Sequence, residues 1–204
     1  MTTRAIYLAS KSPRRHELLR QIGVDVAELR LREAPGRSRD VLESPRPDEP
    51  ATSYVKRIAR AKATLGWQWM HKRGLPPRPV LGADTEVVLD ERPFGKPADA
   101  ADAVRMLRLL SGRTHHVLTT IALRWEEQTI VIPTTSTVTL RALDDAEIER
   151  YVATGEPFDK AGGYAIQGIA ATLISGIEGT YSGVMGLPLF ETAHALTQIG
   201  FPVL

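Results

Sequence analysis

The residues best suited to bind a charged ligand gather near the start of the chain. A short apolar run that predicts a strand is followed by Ser10-Lys11-Ser12-Pro13-Arg14-Arg15. Ser12 is a good N-cap and Pro13 suits the first helical position, so a helix should begin here. Hydroxyls, guanidiniums and free backbone N–H groups would then meet at the positive end of a helix dipole. This combination suits a phosphate, although a capped surface helix with solvated arginines explains the stretch alone equally well.

A second set of candidate functional residues lies in the most clearly predicted strand of the sequence. The segment Val80–Leu89 is apolar at both ends but carries Asp84, Thr85 and Glu86 in its middle. A buried carboxylate is unfavourable unless it is paired, hydrogen-bonded or bound to a metal. Asp84 is therefore a functional candidate. The alternative is a bulge at Gly82 that leaves Asp84 exposed.

Two lysines could complement these acids. Lys62 lies on or beside the apolar stripe of a helix predicted over Ser53–Trp69. A lysine there either snorkels outward or points into a cleft, and snorkelling is the default expectation. Lys96 stands in the rigid turn Pro93–Pro97, where a lysine is usually solvated. If that turn faces Asp84, Lys96 is a natural phosphate contact.

The elements that must position these groups alternate between strand and helix patterns. In the first half, the sequence predicts a strand at Ala5–Ala9, a helix from Pro13 to about Gly23, and a long loop from Val24 to Thr52 with a strand near Val24–Leu31. The helix Ser53–Trp69, capped by Thr52, and the strand Val80–Leu89 follow. In the second half, it predicts a helix capped by Asp99, a hairpin of Thr114–Trp125 and Thr129–Leu140, the helix Asp145–Ala153, a strand at Ile169–Ile174 and a last helix opened by Leu187-Pro188. The glycines at 176, 179, 183 and 186 predict a flexible connection before that last helix.

Finer details of these elements are also predicted. The helix after Thr52 should pack through Tyr54, Ile58, Ala61, Leu65 and Trp69, and the last helix through Leu189, Ala193 and Leu196. Adjacent strand residues face opposite sides, so His115 and His116 are expected to be structural. The long hairpin is a candidate sheet edge or dimer surface.

Composition excludes several classes of protein. The chain has 204 residues, 43% of them hydrophobic, which is enough to bury a real core. Cysteine is absent, so disulfides and thiolate metal sites are excluded. No apolar run approaches a membrane span, and Met1 to Arg4 run straight into a strand without a signal-peptide core. The net charge of +2 does not favour nucleic acid. We therefore expect a cytoplasmic protein that binds neither membrane nor nucleic acid.

Further blocks of sequence resemble one family. The opening stretch resembles the signature of the Maf family of nucleoside triphosphate pyrophosphatases. The resemblance continues in order through Glu43-Ser44-Pro45, Tyr54 to Ala63, Gly82-Ala83-Asp84-Thr85, Gly95-Lys96-Pro97, Leu110-Ser111-Gly112, Asp159 to Gly168 and Val184 to Pro188. Gln167 resembles the branch acting on dTTP and UTP, whereas a branch preferring 7-methyl-GTP carries Glu in that block. Leu42 departs from the family pattern, which often has Asp there, and the segment Leu29–Val41 is longer and more basic than usual.

The resemblance implies a fold, a reaction and partners. The fold would be α/β, with a long twisted mixed β-sheet flanked by helices, forming a single domain over residues 1–204 with two lobes around a deep nucleotide-binding cleft. The reaction would be hydrolysis of a nucleoside triphosphate to the monophosphate and pyrophosphate, with Mg²⁺ or Mn²⁺ as cofactor. The protein would be a homodimer.

It also implies roles for the charged residues. Asp84 would be the general base, and Glu43 and Asp84 would be the metal ligands that a hard divalent cation prefers. Lys62 and Lys96 would stabilise the charge that develops on the leaving pyrophosphate.

The substrate would be held by another set of residues. Ser10, Arg14 and Arg15 would bind phosphate oxygens, and Arg14 also occupies a position linked to substrate choice. Gln167, with Thr85, would read the edge that uracil and thymine share. Gln167 carries both a donor and an acceptor, as such reading requires, although a surface glutamine is an equally good interpretation when it is taken alone.

Two other functions remain open on the sequence. One is a nucleotide-binding regulator that kept the cleft without turnover, which the altered loop around Glu43 makes conceivable. The other is a nucleic-acid-binding protein that uses the basic loop between Arg30 and Arg46. The second lacks interleaved aromatic residues and any known module.

Overall fold

The computed structural model describes residues 5–31, 41 and 43–203, and within them seven strands form one mixed sheet. The strands are β1 Ala5–Leu8, β2 Asp25–Glu28, β3 Val80–Leu89, β4 Arg92–Phe94, β5 Thr114–Trp125, β6 Gln128–Leu140 and β7 Ile174–Glu178. The helices are α1 Pro13–Gln21, α2 Ala51–Lys72, α3 Ala100–Leu110, α4 Asp145–Ala153, α5 Tyr181–Met185 and α6 Leu189–Gln198, with 3₁₀ turns at Ala161–Gly163 and Ile169–Leu173. The predicted α/β class with a mixed sheet is confirmed.

The strand β3 is the axis of the sheet, and one of its edges is interrupted. On one side β5 pairs with β3 without a bulge from Val80 to Val88. On the other side β1 pairs in parallel only at Val80 and Leu81, and β4 pairs only from Val87 to Leu89. Within the described residues, the segment 82–86 therefore has a strand neighbour on one side only. Asp84 lies at this open edge but is only 8% exposed, and the unbroken pairing with β5 removes the predicted alternative of a bulge at Gly82.

The two largest hydrophobic clusters of the described residues lie at the two ends of the long strands. One joins α3 and α4 to the β4 end of the sheet, with Leu107, Leu140 and Tyr151 buried in it. The other joins α1 and α6 to the β1 end, with Leu8 and Leu196 buried in it. The open edge of β3 lies between these cores, so the fold consists of two lobes that share continuous strands.

The helix α2 packs at very short range against the face of β3 that carries Gly82 and Asp84. A Cβ atom added at Gly82 would lie 2.6 Å from the carbonyl oxygen of Ala59 and 2.7 Å from the backbone nitrogen of Ala63. A Cβ atom added at Gly66 would likewise lie 2.7 Å from a side-chain carbon of Val80. Small residues at these contacts let the α2 backbone lie almost directly on β3.

The bounds and the buried face of α2 differ from those predicted. The helix begins at Ala51 with Pro50 as its N-cap, and Thr52 lies inside its first turn. The predicted face of larger side chains was only partly right, because Ala61, Leu65 and Trp69 are half-buried. The fully buried stripe instead comprises Tyr54, Val55, Ile58, Ala59, Lys62, Ala63, Gly66 and Met70.

Two predictions for the last third of the chain were wrong. The predicted strand Ile169–Ile174 is a 3₁₀ turn, because the backbone N–H groups of Ile169 and Ala170 donate to the carboxylate of Glu156 at 2.9 and 3.0 Å. The glycine-rich segment after it, predicted as a flexible connection, is regular secondary structure. It forms β7, which pairs with β6, and α5, where the hydroxyl of Thr180 accepts from the backbone N–H of Gly183.

The last helix also differs in its buried face. Thr192, Ala195 and Leu196 are the buried residues of α6, whereas the predicted contacts Leu189 and Ala193 are half-buried. The predicted cap of α3 by Asp99 is confirmed, and on α4 the carboxylates of Asp144 and Glu147 form a capping box.

Part of the predicted long loop lies outside the described residues. That part includes Arg32, Pro35, Arg37, Arg39 and Leu42, and Met1 to Arg4 also lie outside. In the remainder, β2 accounts for the strand expected near Val24–Leu31. No helix of the described ranges combines the length and apolar character that crossing a membrane requires.

His115 and His116 face opposite sides of β5, as predicted. His115 is buried, and its Nε2 atom lies 2.7 Å from the hydroxyl of Tyr164, while His116 is exposed. Burial lowers the pKa of His115 to about 4 from an ordinary 6.5, and repulsion by His116 adds to the effect. The folded protein therefore holds His115 in its neutral form at neutral pH.

We predict that replacing Gly82 with Ala destabilises the protein by about 2 kcal/mol or more, as overpacking of a rigid contact does. The new methyl group would meet backbone atoms of α2, which cannot rotate away. Urea unfolding measures the change. The control is Gly176→Ala in β7, where an added Cβ has nothing within 4 Å. Equal stability of the two variants would contradict the close α2–β3 contact.

His115 also predicts a pH dependence of stability. The unfolded chain takes up a proton at His115 as the pH falls from 6.5 towards 4, whereas the folded protein does not. Stability is therefore complete above this window and falls by about 3 kcal/mol across it. The variant His115→Gln lacks this loss, and His116→Gln serves as the control on the same strand. The free energy of unfolding should be compared between wild type and His115→Gln. A difference that stays constant from pH 6.5 to pH 4 would contradict the lowered pKa of His115.

Candidate active site

A cleft of about 700 Å³ opens at the interrupted edge of β3, within the range of small-ligand sites. Its walls come from the loop after β1, the α2 face, β3, the turn after β4 and the loop before the second 3₁₀ turn. The structure brings all the residues predicted for the site to this one cleft, namely Ser10, Arg14, Arg15, Glu43, Lys62, Asp84, Thr85, Lys96 and Gln167. Since the open edge reaches both faces of β3, groups from both faces meet here.

On the α2 face, one ammonium group lies between two carboxylates. The Nζ atom of Lys62 is 2.9 Å from Oδ1 of Asp84 and 2.8 Å from Oε1 of Glu43. Lys62 is only 9% exposed, so the default expectation that it snorkels outward was wrong. It points into the cleft because α2 presents it directly above Asp84.

The pKa values of the two carboxylates shift in opposite directions, although Lys62 lowers both. Burial raises the pKa of Asp84 above its ordinary value, and the opposing effect of Lys62 does not reverse this. Glu43 is more open to solvent; burial alone would raise its pKa, but Lys62, Lys96 and Arg15 together lower it. Glu43 therefore supplies a fixed negative charge, while Asp84 is the better proton acceptor.

Glu86 is a member of this face that sequence reasoning did not single out. It is 8% exposed, and its Oε1 atom is buried with no hydrogen-bond partner among the described residues. Burial and the nearby Asp84 raise the pKa of Glu86 to about 8. Strand alternation was the available signal, because Glu86 stands two residues after Asp84 and must share its face.

On the other face of β3, Arg15 is a buried organising residue. Its guanidinium donates to the carbonyl of Gly186 at 2.8 Å, to Oγ of Ser10 at 3.0 Å and to Oγ1 of Thr85 at 3.2 Å. Burial lowers the pKa of Arg15, with Asp84 acting against the shift. The predicted pair of arginines is thus unequal: Arg15 ties the loop after β1 to β3 and α5, and Arg14 lies nearer solvent.

The mouth of the cleft carries the remaining polar groups. Arg14 forms an ion pair with Asp159 at 3.2 Å, and Lys160 contacts the same carboxylate at 2.8 Å. Lys96 and Gln167 are exposed at the rim. Asp159 and Lys160 were not predicted as site residues, although they lie in a block of sequence that resembles the family.

Glu156 fixes the backbone that follows Gln167. Its carboxylate accepts from the N–H groups of Ile169 and Ala170 and from the hydroxyl of Tyr151 at 3.0 Å. A Cβ atom at Gly168 would clash with this carboxylate, so a larger residue there would displace Glu156 from its hydrogen bonds. The position of Gln167 at the rim therefore depends on a carboxylate eleven residues earlier in the chain.

The chemistry of the cleft suits a ligand with several negative charges. Arg14, Arg15, Lys62 and Lys96 supply cations, and Ser10 supplies a hydroxyl. Among residues 5–31, 41 and 43–203, no three His, Cys, Asp or Glu side chains are close enough to enclose a metal ion. Two carboxylate oxygens nevertheless face one cation, the ammonium of Lys62. A two-carboxylate set of this kind fits Mg²⁺, which usually binds one or two carboxylates together with substrate phosphates and water.

The chain was compared with known proteins by structure, by sequence and by family model. A solved structure of the Staphylococcus aureus Ham1 protein has a TM-score of 0.41 and 16% identity, covering 67% of this chain and 71% of that one. A dTTP/UTP pyrophosphatase of Aromatoleum aromaticum is 53% identical, covering 97% of each chain. One of Nitrosospira multiformis is 56% identical, covering 95% of this chain and 93% of its own. The family model described as Maf-like protein matches residues 5–199. The chain therefore belongs to the Maf family.

Proposed function

We propose that this protein hydrolyses dTTP and UTP to the nucleoside monophosphate and pyrophosphate. The observation that carries the proposal is the buried Lys62 between Glu43 and Asp84, placed beside the arginines and hydroxyls of the α1 start. The names of the relatives support the same activity and substrates. They favour an enzyme over a regulator without turnover, over a nucleic-acid-binding protein and over a preference for 7-methyl-GTP.

The triphosphate would bind where the cations converge. Arg14 and Ser10 lie at the start of α1 and reach the cleft, and Lys96 extends from the opposite rim. Arg15 already donates to Ser10, Thr85 and Gly186, so its main contribution is to hold these groups in position. Guanidiniums bind phosphate oxygens in pairs, whereas a lysine acts as a point charge.

Water would then attack the α-phosphorus. The water oxygen forms a bond to the α-phosphorus while the bond from that phosphorus to the bridging oxygen breaks. Asp84 accepts a proton from the water, for which its raised pKa is suited. The electron pair of the broken bond leaves with the pyrophosphate, and Lys62 and Lys96 stabilise that negative charge.

A divalent cation, Mg²⁺ or Mn²⁺, is part of the proposal. Glu43 and Asp84 are the residues that would hold it, since both already face a positive charge. When bound, it would neutralise phosphate charge and act as a Lewis acid. Glu43 is suited to a change of partner because its side chain is 42% exposed.

Base recognition would involve the rim. Gln167 is exposed and carries a donor and an acceptor, so it can match the alternating O4, N3–H and O2 edge of uracil or thymine. Thr85 is half-buried in the cleft wall and offers a hydroxyl. Both bases share this edge, which is consistent with the two substrates of the named relatives.

We extend the proposal to the state of the whole protein. A single domain over residues 1–204 is supported by the continuous strands that link the two cores. A cytoplasmic location is supported by the absence of cysteine and by the substrate class. A homodimer is supported by the exposed apolar side chains of Ile177 on β7, Tyr181 on α5 and Phe190 on α6. We expect no membrane or nucleic-acid partner.

The first experiment replaces Asp84 with Asn, which keeps the shape and removes the base. We expect kcat for pyrophosphate release from UTP to fall by about 10²–10⁴-fold, with a smaller change in KM. The control is Asp145→Asn, because Asp145 forms an exposed ion pair with Arg108 away from the cleft. Wild-type protein that releases no pyrophosphate from dTTP or UTP with Mg²⁺ or Mn²⁺ would refute the function. Full activity of Asp84→Asn would refute the roles of Asp84 as base and as metal ligand but leave the function.

A second experiment tests the support beneath Gln167. We predict that Glu156→Gln weakens the hydrogen bonds to Ile169 and Ala170, because a charged acceptor becomes neutral. The value of kcat/KM for UTP should fall by about tenfold, mainly through KM, as expected for loss of a charge-assisted hydrogen bond. Glu147→Gln is the matched control, since it removes a structural carboxylate from α4 and should lower stability without changing KM. An unchanged KM in Glu156→Gln would contradict the positioning role.

A further inference from the structure

A line of hydrogen bonds runs beneath the cleft wall, from Arg15 through two threonines to the start of α5. Arg15 donates to Oγ1 of Thr85 at 3.2 Å. The hydroxyls of Thr85 and Thr119 lie 3.0 Å apart. Thr119, on β5, donates to the carbonyl oxygen of Gly183 at 2.8 Å. Thr119 is 1% exposed and does not line the cleft, so it reaches a ligand only through Thr85.

The direction of each bond in this line can be assigned. A hydroxyl carries a single hydrogen, and the hydrogen of Thr119 goes to the carbonyl of Gly183, which cannot donate. In the contact between the threonines, Thr85 must therefore be the donor. Thr85 also accepts from Arg15, so its hydrogen and one lone pair are used. One lone pair on Oγ1 of Thr85 is therefore left to face the cleft.

We propose that Thr119 is a positioning residue for base selection. By taking the hydrogen of Thr85, it makes that hydroxyl an acceptor only, and Thr85 then accepts from the N3–H of uracil or thymine. This inference rests on the proposed function and names how the same site separates uracil and thymine from cytosine.

The chemistry of the ligand decides which group Thr85 can meet. Phosphate oxygens bring only lone pairs and negative charge, so an acceptor-only hydroxyl offers them nothing. Uracil and thymine present a donor at N3, whereas N3 of cytosine presents a lone pair. Two facing lone pairs leave a desolvated polar atom unpaired, which is unfavourable. A hydroxyl that rotates freely could hydrogen-bond to either base. Discrimination therefore depends on Thr119 fixing the direction of the Thr85 hydrogen.

The test compares UTP and CTP, which share the same sugar and triphosphate. We expect wild-type protein to prefer UTP, and Thr119→Val to lower the UTP/CTP ratio of kcat/KM by about tenfold, because the hydrogen of Thr85 is released to face N3 of cytosine. Thr119→Ser keeps the acceptor and the bond to Gly183, so its ratio should stay near that of wild type. In Thr119→Val, the carbonyl of Gly183 still accepts from the N–H of Gly186 at 3.0 Å, which limits the structural damage.

The matched control is Thr192→Val. Thr192 is buried on α6 and donates to the carbonyl of Pro188 at 2.7 Å, so its replacement loses the same type of bond away from the cleft. Its UTP/CTP ratio should equal that of wild type. Thr85→Val gives a second, independent measurement should Thr119→Val not fold, and we expect the ratio to fall there as well.

The outcomes separate this inference from the proposed function. If wild-type protein hydrolyses neither UTP nor dTTP, the function fails, and the inference fails with it. Wild-type protein that hydrolyses UTP and CTP equally well would keep the function and overturn the inference. The same holds if Thr119→Val and Thr85→Val keep the wild-type ratio. An equal loss on both substrates would assign Thr85 to the sugar or to folding, and would also overturn the inference.

Discussion

The buried ammonium of Lys62 between Glu43 and Asp84 is the interaction on which the site depends. Asp84 is buried in an apolar strand, where a carboxylate is unfavourable without such a partner, and removing one member of a buried pair typically destabilises a protein by about 3–5 kcal/mol. The pair exists because α2 lies almost on the backbone of β3 at Gly82. Packing and chemistry are thus set by the same contact.

The interrupted edge of β3 explains why one cleft contains such different groups. Carboxylates and Lys62 lie on one face of the strand, and Arg15, Ser10 and Thr85 lie on the other. In a fully paired strand these faces would be separated by a neighbouring backbone. Because β1 and β4 leave segment 82–86 open between them, a single ligand can contact both groups at once.

Sequence reasoning reached the fold class and the residues of the cleft, but not all of their surroundings. Asp84 could be predicted because a carboxylate in an apolar strand requires an explanation. The orientation of Lys62 could not be predicted. Large apolar side chains indicated one buried face of α2, whereas the small residues that contact β3 determine the face that is actually buried. The partners of Arg15 come from Thr85 and Gly186, far along the chain, and no local pattern indicates them. The same is true of Thr119.

The most direct test of the account is hydrolysis of UTP in ¹⁸O-labelled water, with the products analysed by mass spectrometry. If Asp84 is the base for a water that attacks the α-phosphorus, the label should appear in UMP and the pyrophosphate should be unlabelled. Label in the pyrophosphate would mean attack at the β-phosphorus. Release of orthophosphate instead of pyrophosphate would likewise contradict the assigned reaction and the positions of Asp84 and Lys62 in it.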